Sequence, residues 1–382
     1  MEDNFRFMNE LVRIINGALR LDVEKVRSYT AFLAEKLENA DEPTAAKRLR
    51  KLLQESDHQL RPVETAIAAS LPVDSESRFP LVEKVDLQDT NEPDVVLSEE
   101  QWDTTKEFLS IAKSYAQIEA EGLSTNLSFL LCGPPGTGKS RLARHIAREL
   151  GYDLYLTRLD GLISSYVGST SKNIRALFEF ASRHPCVLFL DEFDAIAKLR
   201  GDGQEMGELK RVVNSFIQNL DTLGSQSIIV AATNHQELLD AAVWRRFGYR
   251  LELDYPTAEM RSQLWQHFAK KLSFGDRELE LLVDLSDGFS GSDINEVATR
   301  LHRRQLLGNV TATLREALGV MQNLSIGEGE HRRFLGLIRN QDEHEIAHQL
   351  RERNPKLYSH SAIAQLLGVS KATAGRWSKE EV

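Results

Sequence analysis

The chain has 382 residues, 41% hydrophobic and 27% charged, with a formal net charge of −10; this is globular composition at a length that allows about two to four domains. No apolar run approaches the roughly 20 residues of a membrane helix, and the start Met1-Glu2-Asp3-Asn4 has no basic export region, so the expected location is cytoplasmic with no membrane partner. Cys132 and Cys186 fall in apolar runs and read as reduced core residues, while ten histidines without companion cysteines argue against zinc.

Residues 1–58 read as an N-terminal helical module. Phe7, Leu11, Ile14, Ile15, Ala18 and Leu19 recur with helical period, as do Val23, Val26, Tyr29, Ala31, Phe32, Leu33 and Leu37. Asp22 and Pro43 mark helix starts. Two or three packed helices follow, serving either to dock a partner or substrate, or to associate with further copies of the chain. Residues 59–96 carry Pro62, Pro72, Pro80 and Pro93 without sustained helical period, and over 71–107 eleven acids stand against Arg78, Lys84 and Lys106. Most of the net charge is therefore local, and the stretch reads as an extended, solvated acidic linker or as a contact strip for a basic surface.

The string Gly133-Pro134-Pro135-Gly136-Thr137-Gly138-Lys139-Ser140 lies between an apolar strand pattern over 127–132 and an amphipathic helix pattern opening at Arg141. Strand, glycine-rich turn, Lys-Ser and helix in that order form a phosphate-cradling loop. Backbone N–H groups and the helix N-terminus face the phosphates, Lys139 reaches the β and γ oxygens, and the Ser140 hydroxyl joins Mg²⁺. Residues 186–190 are an unbroken apolar run ending in Asp191-Glu192, the pattern of a central parallel strand. Ligands bind at the carboxyl ends of such strands, so Asp191 is placed to hold Mg²⁺ through water and Glu192 to orient and deprotonate the attacking water.

With these two motifs the chain resembles an AAA+ ATPase, in the subgroup of ring-forming, protein-remodelling members, over about residues 97–320. The resemblance implies an α/β fold, a P-loop NTPase parallel sheet flanked by helices over 97–255, then an α-helical lid over 256–350. It implies ATP and Mg²⁺ as cofactors, with Arg141 beside the loop at the nucleotide, and a homo-oligomeric ring, a hexamer as in relatives. Ala231-Ala232-Thr233-Asn234 matches the family's polar sensor, so Asn234 would place the lytic water beside Glu192. Residues 239–247 match the region in which two arginines, here Arg245 and Arg246, face the neighbouring subunit's ATP. An arginine supplied in trans stabilises the transferring phosphoryl group. Gly248 departs from the pattern, standing where many relatives carry an aspartate. Residues 288–294 resemble the subgroup's small-residue substitute for a second sensor, with Gly291 and Ser292 near adenine and ribose. Tyr166, Val167 and Gly168, ahead of a helix pattern from Ser171, occupy the slot of an aromatic, apolar, glycine pore loop that grips polypeptide. Residues 200–207 read either as a second pore loop or as a solvated connector.

Residues 351–382 reverse the sign of the chain, with six basic residues against three acidic, and residues 361–377 resemble a helix-turn-helix. Gly368 makes the turn, Ile363, Leu367, Val369 and Trp377 form a shared core, and Ser370 caps a second helix exposing Lys371, Thr373 and Arg376. That segment serves DNA contact or packing against protein. Three functional readings follow: a ring that remodels or translocates a protein substrate, a nucleotide-gated DNA-binding regulator, and an ATPase paired with a separate subtilisin-like protease.

Overall fold

The computed structural model describes residues 7–20, 22–40, 42–55, 71–74, 77–88, 95–123, 126–157, 167–195, 215–220, 228–308, 312–324, 333–338 and 341–378. It divides into two compact units, one of residues 1–95, 99–133 and 139–252, the other of residues 96–98, 134–138 and 253–382.

A six-stranded sheet of order β1-β3-β4-β5-β2-β6 organises the first unit: β1 (Val82–Val85), β2 (Ser128–Cys132), β3 (Asp153–Thr157), β4 (Cys186–Leu190), β5 (Ile228–Thr233) and β6 (Tyr249–Glu252). All pairs are parallel except β1 with β3. Every residue of β2, β4 and β5 is buried, which is why their sequences are near-continuous apolar runs, broken only by Ser128 and Thr233 at strand ends, rather than alternating ones. Helices α4 (Glu99–Ala120), α5 (Lys139–Leu150) and α6 (Val167–Arg183) belong to the same unit. Leu142, Ala143, Ile146, Ala147 and Leu150 form the buried stripe of α5 at the three-and-four spacing of a half-covered helix. The mostly parallel sheet flanked by helices is the P-loop NTPase core expected from the motifs.

The acidic stretch is not solvated throughout. Leu81 and Val82 are buried, and β1 extends the sheet by pairing with β3 in the register Val82 to Thr157. An antiparallel edge strand tolerates outward charge, so the Glu83-Lys84 pair does not prevent it from closing this edge.

Helix α1 spans Met8–Leu19; α2 (Val23–Asn39) and α3 (Pro43–Glu55) begin where Asp22 and Pro43 indicated, and the Asp22 carboxylate accepts the Lys25 N–H at 3.1 Å. The buried face of α1 differs in part from the expected one. Its fully buried residues are Glu10, Arg13 and Gly17; Phe7 and, on α1, Ile14 pack against the Leu33, Leu37 and Ala46 core as expected, while Leu11, Ile15 and Leu19 are exposed, Leu19 at 81%. Arg13 donates to the Tyr29 hydroxyl at 3.1 Å and lies over the Tyr115 ring at 4.6 Å; Glu10 accepts from Lys36 at 2.8 Å. Tyr29 donates to the His184 carbonyl and Tyr115 to the Asn9 carbonyl. These bonds engage the buried charges and fasten the N-terminal helices to the sheet domain.

The second unit is helical: α8 (Ala258–Phe268), α9 (Asp276–Leu285), α10 (Gly291–Gly308), α11 (Leu314–Leu324), α12 (Arg333–Ile338), α13 (Glu343–Arg353), α14 (His360–Leu367) and α15 (Lys371–Trp377), α7 (Ala241–Trp244) being part of the sheet unit. One core runs from Leu264 and Trp265 to Ile363, Leu367 and Ala374. Val369 and Trp377 pack against it, as the sequence pattern indicated. Asp284 accepts from Arg353 at 2.8 Å and from the buried Tyr358 hydroxyl at 2.5 Å, fixing the approach to α14. Gly368 turns the chain between α14 and α15 at φ 69°, a left-handed conformation that suits glycine. No helix among the described residues is long and apolar enough to cross a membrane.

Candidate nucleotide site

Parallel register aligns the ends of three strands. Cys132 pairs with Thr233, and Leu190 with Ala231, so Gly133, Asp191 and Asn234 follow neighbouring strands at one edge of the sheet. The Gly133 N–H continues the ladder to the Thr233 carbonyl at 3.2 Å. Lys139 opens α5 with only 7% exposure and donates to the Gly133 carbonyl at 2.7 Å. Burial lowers the lysine pKa, and the nearby Asp191 carboxylate opposes that shift. Ser140 directs its hydroxyl to Asp191 at 3.4 Å. A hydroxyl and a carboxylate side by side are hard oxygen donors, which suits Mg²⁺ that otherwise keeps its waters and takes phosphate oxygens.

Within the second unit, Pro134, Pro135, Gly136, Thr137 and Gly138 form the body of the loop. Thr137 closes it by donating to the Pro134 carbonyl at 2.9 Å. Gly136 is required twice over, by its φ of 78° and because a Cβ there would stand 2.5 Å from the Ser290 hydroxyl. Its carbonyl accepts the Ser292 N–H at 3.2 Å, and a Cβ on Gly291 would meet that same oxygen at 3.5 Å. Gly291 and Ser292 thus touch the loop itself.

Glu192 has a positive φ of 51°, a conformation that costs a non-glycine residue about 1–3 kcal/mol and clusters at functional sites. Its neighbours impose it. Asp191 accepts the Glu192 N–H at 2.9 Å, and the Phe193 N–H is drawn to the Ala232 carbonyl at 2.8 Å. Buried Asp194 accepts from the Thr233 hydroxyl at 3.1 Å, and that hydroxyl in turn accepts the His235 N–H. Thr233 and Asp194 therefore bracket both Glu192 and Asn234, a role the motif reading missed. The available signal was a third acid, Asp194, just beyond Asp191-Glu192 and one buried aromatic.

Arg245 and Arg246 are exposed and lie at the other end of the sheet. Asp240 caps α7 by accepting the Ala242 N–H, the arginines follow, and Gly248 leads into β6. Because Tyr249 pairs with Phe129 and Glu252 with Cys132, this turn lies level with the start of β2. The strand length from there to Gly133 is about 15 Å at roughly 3.3 Å per residue. One chain's arginines are thus displaced from its own phosphate loop by more than an arginine side chain spans.

Tyr166 lies outside the described residues, as do residues 200–207. α6 begins at Val167, four residues ahead of Ser171, so Val167 and Gly168 belong to its first turn. At the C-terminus Lys371 and Arg376 are exposed, whereas the Thr373 hydroxyl is bonded to the capping Ser370 at 2.8 Å.

The model of the "ATPase family associated with various cellular activities (AAA)" matches residues 129–255. An uncharacterized AAA family ATPase of Sinorhizobium fredii is 35% identical over 287 residues, covering 74% of this chain and 85% of that protein. A putative 26S proteasome regulatory subunit homolog of Methanocaldococcus jannaschii is 37% identical over 180 residues, covering 46% of this chain. The chain spans 48% of that archaeal protein's length. A crystal structure of the FIGL-1 AAA domain superposes with a TM-score of 0.53 at 23% identity, over 68% of this chain and 88% of that one, a likeness of fold.

Proposed function

We propose that this chain, which belongs to the AAA family and is an ATPase, works as a ring in which each ATP is held by one copy and completed by the arginines of the next. One observation carries the reading: Arg245 and Arg246 are exposed at the amino end of the strand whose carboxyl end bears the phosphate loop. Groups so far apart in one copy serve one site only if the arginines come from another. Lys139 and the loop N–H groups bind the phosphates, and Arg141 lies beside them. Ser140 and Asp191 would hold Mg²⁺, which neutralises charge on the β- and γ-phosphates when bound. Glu192 takes a proton from the attacking water while Asn234 orients that water. The trans guanidinium groups stabilise the charge spreading over the transferred phosphoryl group.

The work of the ring is assigned to polypeptide, remodelled or translocated by the Tyr166, Val167, Gly168 triplet. Two things support this: the residue types of the triplet, and similarity to a protein named as a proteasome regulatory subunit homolog. A hexamer is the assembly proposed. Exposed Lys371 and Arg376 on α15 favour a second reading, DNA contact by the C-terminal segment.

The test is subunit mixing. Lys139→Ala copies and Arg245→Ala/Arg246→Ala copies are each inactive alone, one lacking phosphate binding and the other lacking trans charge. Mixed, they form some sites with every group present, and phosphate release returns. Co-assembly without any return of hydrolysis would refute the shared site.

A further inference from the structure

The turn that carries the arginines is fastened to the chain by its backbone. Asn126, just ahead of β2, donates its side-chain amide to the Arg246 carbonyl at 2.6 Å. Ser128, 1% exposed, donates to the Asn126 side-chain oxygen at 2.6 Å and accepts the Gly248 N–H at 3.0 Å. Between these bonds Phe247 is buried, its ring 5.7 Å from that of Phe193. The carbonyl of one arginine, the following side chain and the next N–H are therefore all held. Position 248 admits no side chain, because a Cβ would lie 2.5 Å from the Asn126 carbonyl oxygen.

From this geometry we infer that Asn126, with Ser128 and Gly248, is the positioning element for Arg245 and Arg246: it sets where they stand for the neighbouring copy's ATP. The inference rests on the trans-arginine reading above. The chemistry favours a dedicated device. Arg245 and Arg246 are long, exposed side chains, and their reach to a neighbouring copy's phosphate depends on where their backbone stands. A carbonyl and an N–H one residue either side of Phe247, both bonded to one short segment, fix that backbone without using either guanidinium group. The same segment leads through β2 to Gly133, so the anchor of the arginines and a copy's own phosphate loop are the two ends of one strand.

Asn126→Ala is expected to bind the fluorescent analogue mant-ATP within about twofold of the unchanged chain, while turnover falls by about ten- to hundredfold, the usual cost of misplacing a reacting group. Such copies have a sound phosphate site and poor arginines. Mixed with Lys139→Ala copies they should recover turnover, as the double arginine variant does. A merely structural role for Asn126 would lower mant-ATP binding and turnover together, and mixing would restore nothing. Should Asn126→Ala not fold, Asn126→Asp, isosteric but without the amide donor, carries the same test, and Gly248→Ala should give the same pattern.

Unchanged turnover in Asn126→Asp or Asn126→Ala would overturn the inference. So would a loss that Lys139→Ala copies fail to rescue while they rescue Arg245→Ala/Arg246→Ala. Failure of that arginine control would instead remove the trans reading on which the inference stands.

Discussion

The two ends of the sheet are built by different rules. At the carboxyl end, Gly133, Lys139, Ser140, Asp191, Asp194 and Thr233 bond to one another within one chain, and strand register leaves them no freedom. At the amino end, the backbone of the arginine turn is fixed while Arg245 and Arg246 point outward. The first end is finished in a single copy. On the proposed trans-arginine reading, the second serves another copy and has value only on assembly.

The largest expected effect separates the ends by chemistry. Glu192→Gln should reduce turnover by about 10²–10⁴-fold, the range for a positioned general base, with mant-ATP binding retained. Mixing Glu192→Gln with Lys139→Ala copies should restore nothing, because both variants damage the same end. Recovery in that mixture would erase the distinction between the ends.

Thr233→Val should come next, lowering turnover by about tenfold with little change in KM, since it frees Asp194 and loosens Glu192 without touching phosphate. Thr233→Ser, which keeps the hydroxyl, should behave as the unchanged chain in steady-state kinetics. Equal loss in both would reduce Thr233 to a packing residue.

The smallest effect concerns burial. Cys132 closes β2 beside the phosphate loop and Cys186 opens β4 at the opposite end, and burial pushes both thiols up to about 12. Iodoacetamide at neutral pH should label neither in the folded chain, by mass spectrometry, because almost no thiolate is present. Preferential labelling of one would show that its end of the sheet opens first.

Much of the carboxyl end was legible in the sequence because its groups lie in two short strings after apolar strands, so local order and spatial order coincide. Asp194 with Thr233 and Asn126 with Arg246 were not, since 39 and 120 residues separate the partners. Nothing local marks a bond that the fold creates. The same cause overturned part of the reading of α1, since Phe7 and Ile14 do pack inward but Leu11, Ile15 and Leu19 do not. Its apolar period looked like the core face, but the partners that bury Arg13 and Glu10 are Tyr29, Lys36 and Tyr115, far along the chain. β1 was hidden for another reason: a four-residue edge strand carrying two charges has the composition of a linker, and only pairing with β3 tells them apart.

The guanidinium of Arg13, sealed between tyrosines from α2 and α4, has a practical consequence for dissecting the molecule. Clipping off the leading helices would bare the rings of Tyr115 and Tyr152 and leave the His184 carbonyl bereft of its phenol. A trimmed ATPase would therefore be sticky, and its misbehaviour would say little about recruitment. Whatever those helices attract is better sought by changing Leu11, Ile15 and Leu19, which leave the seal intact.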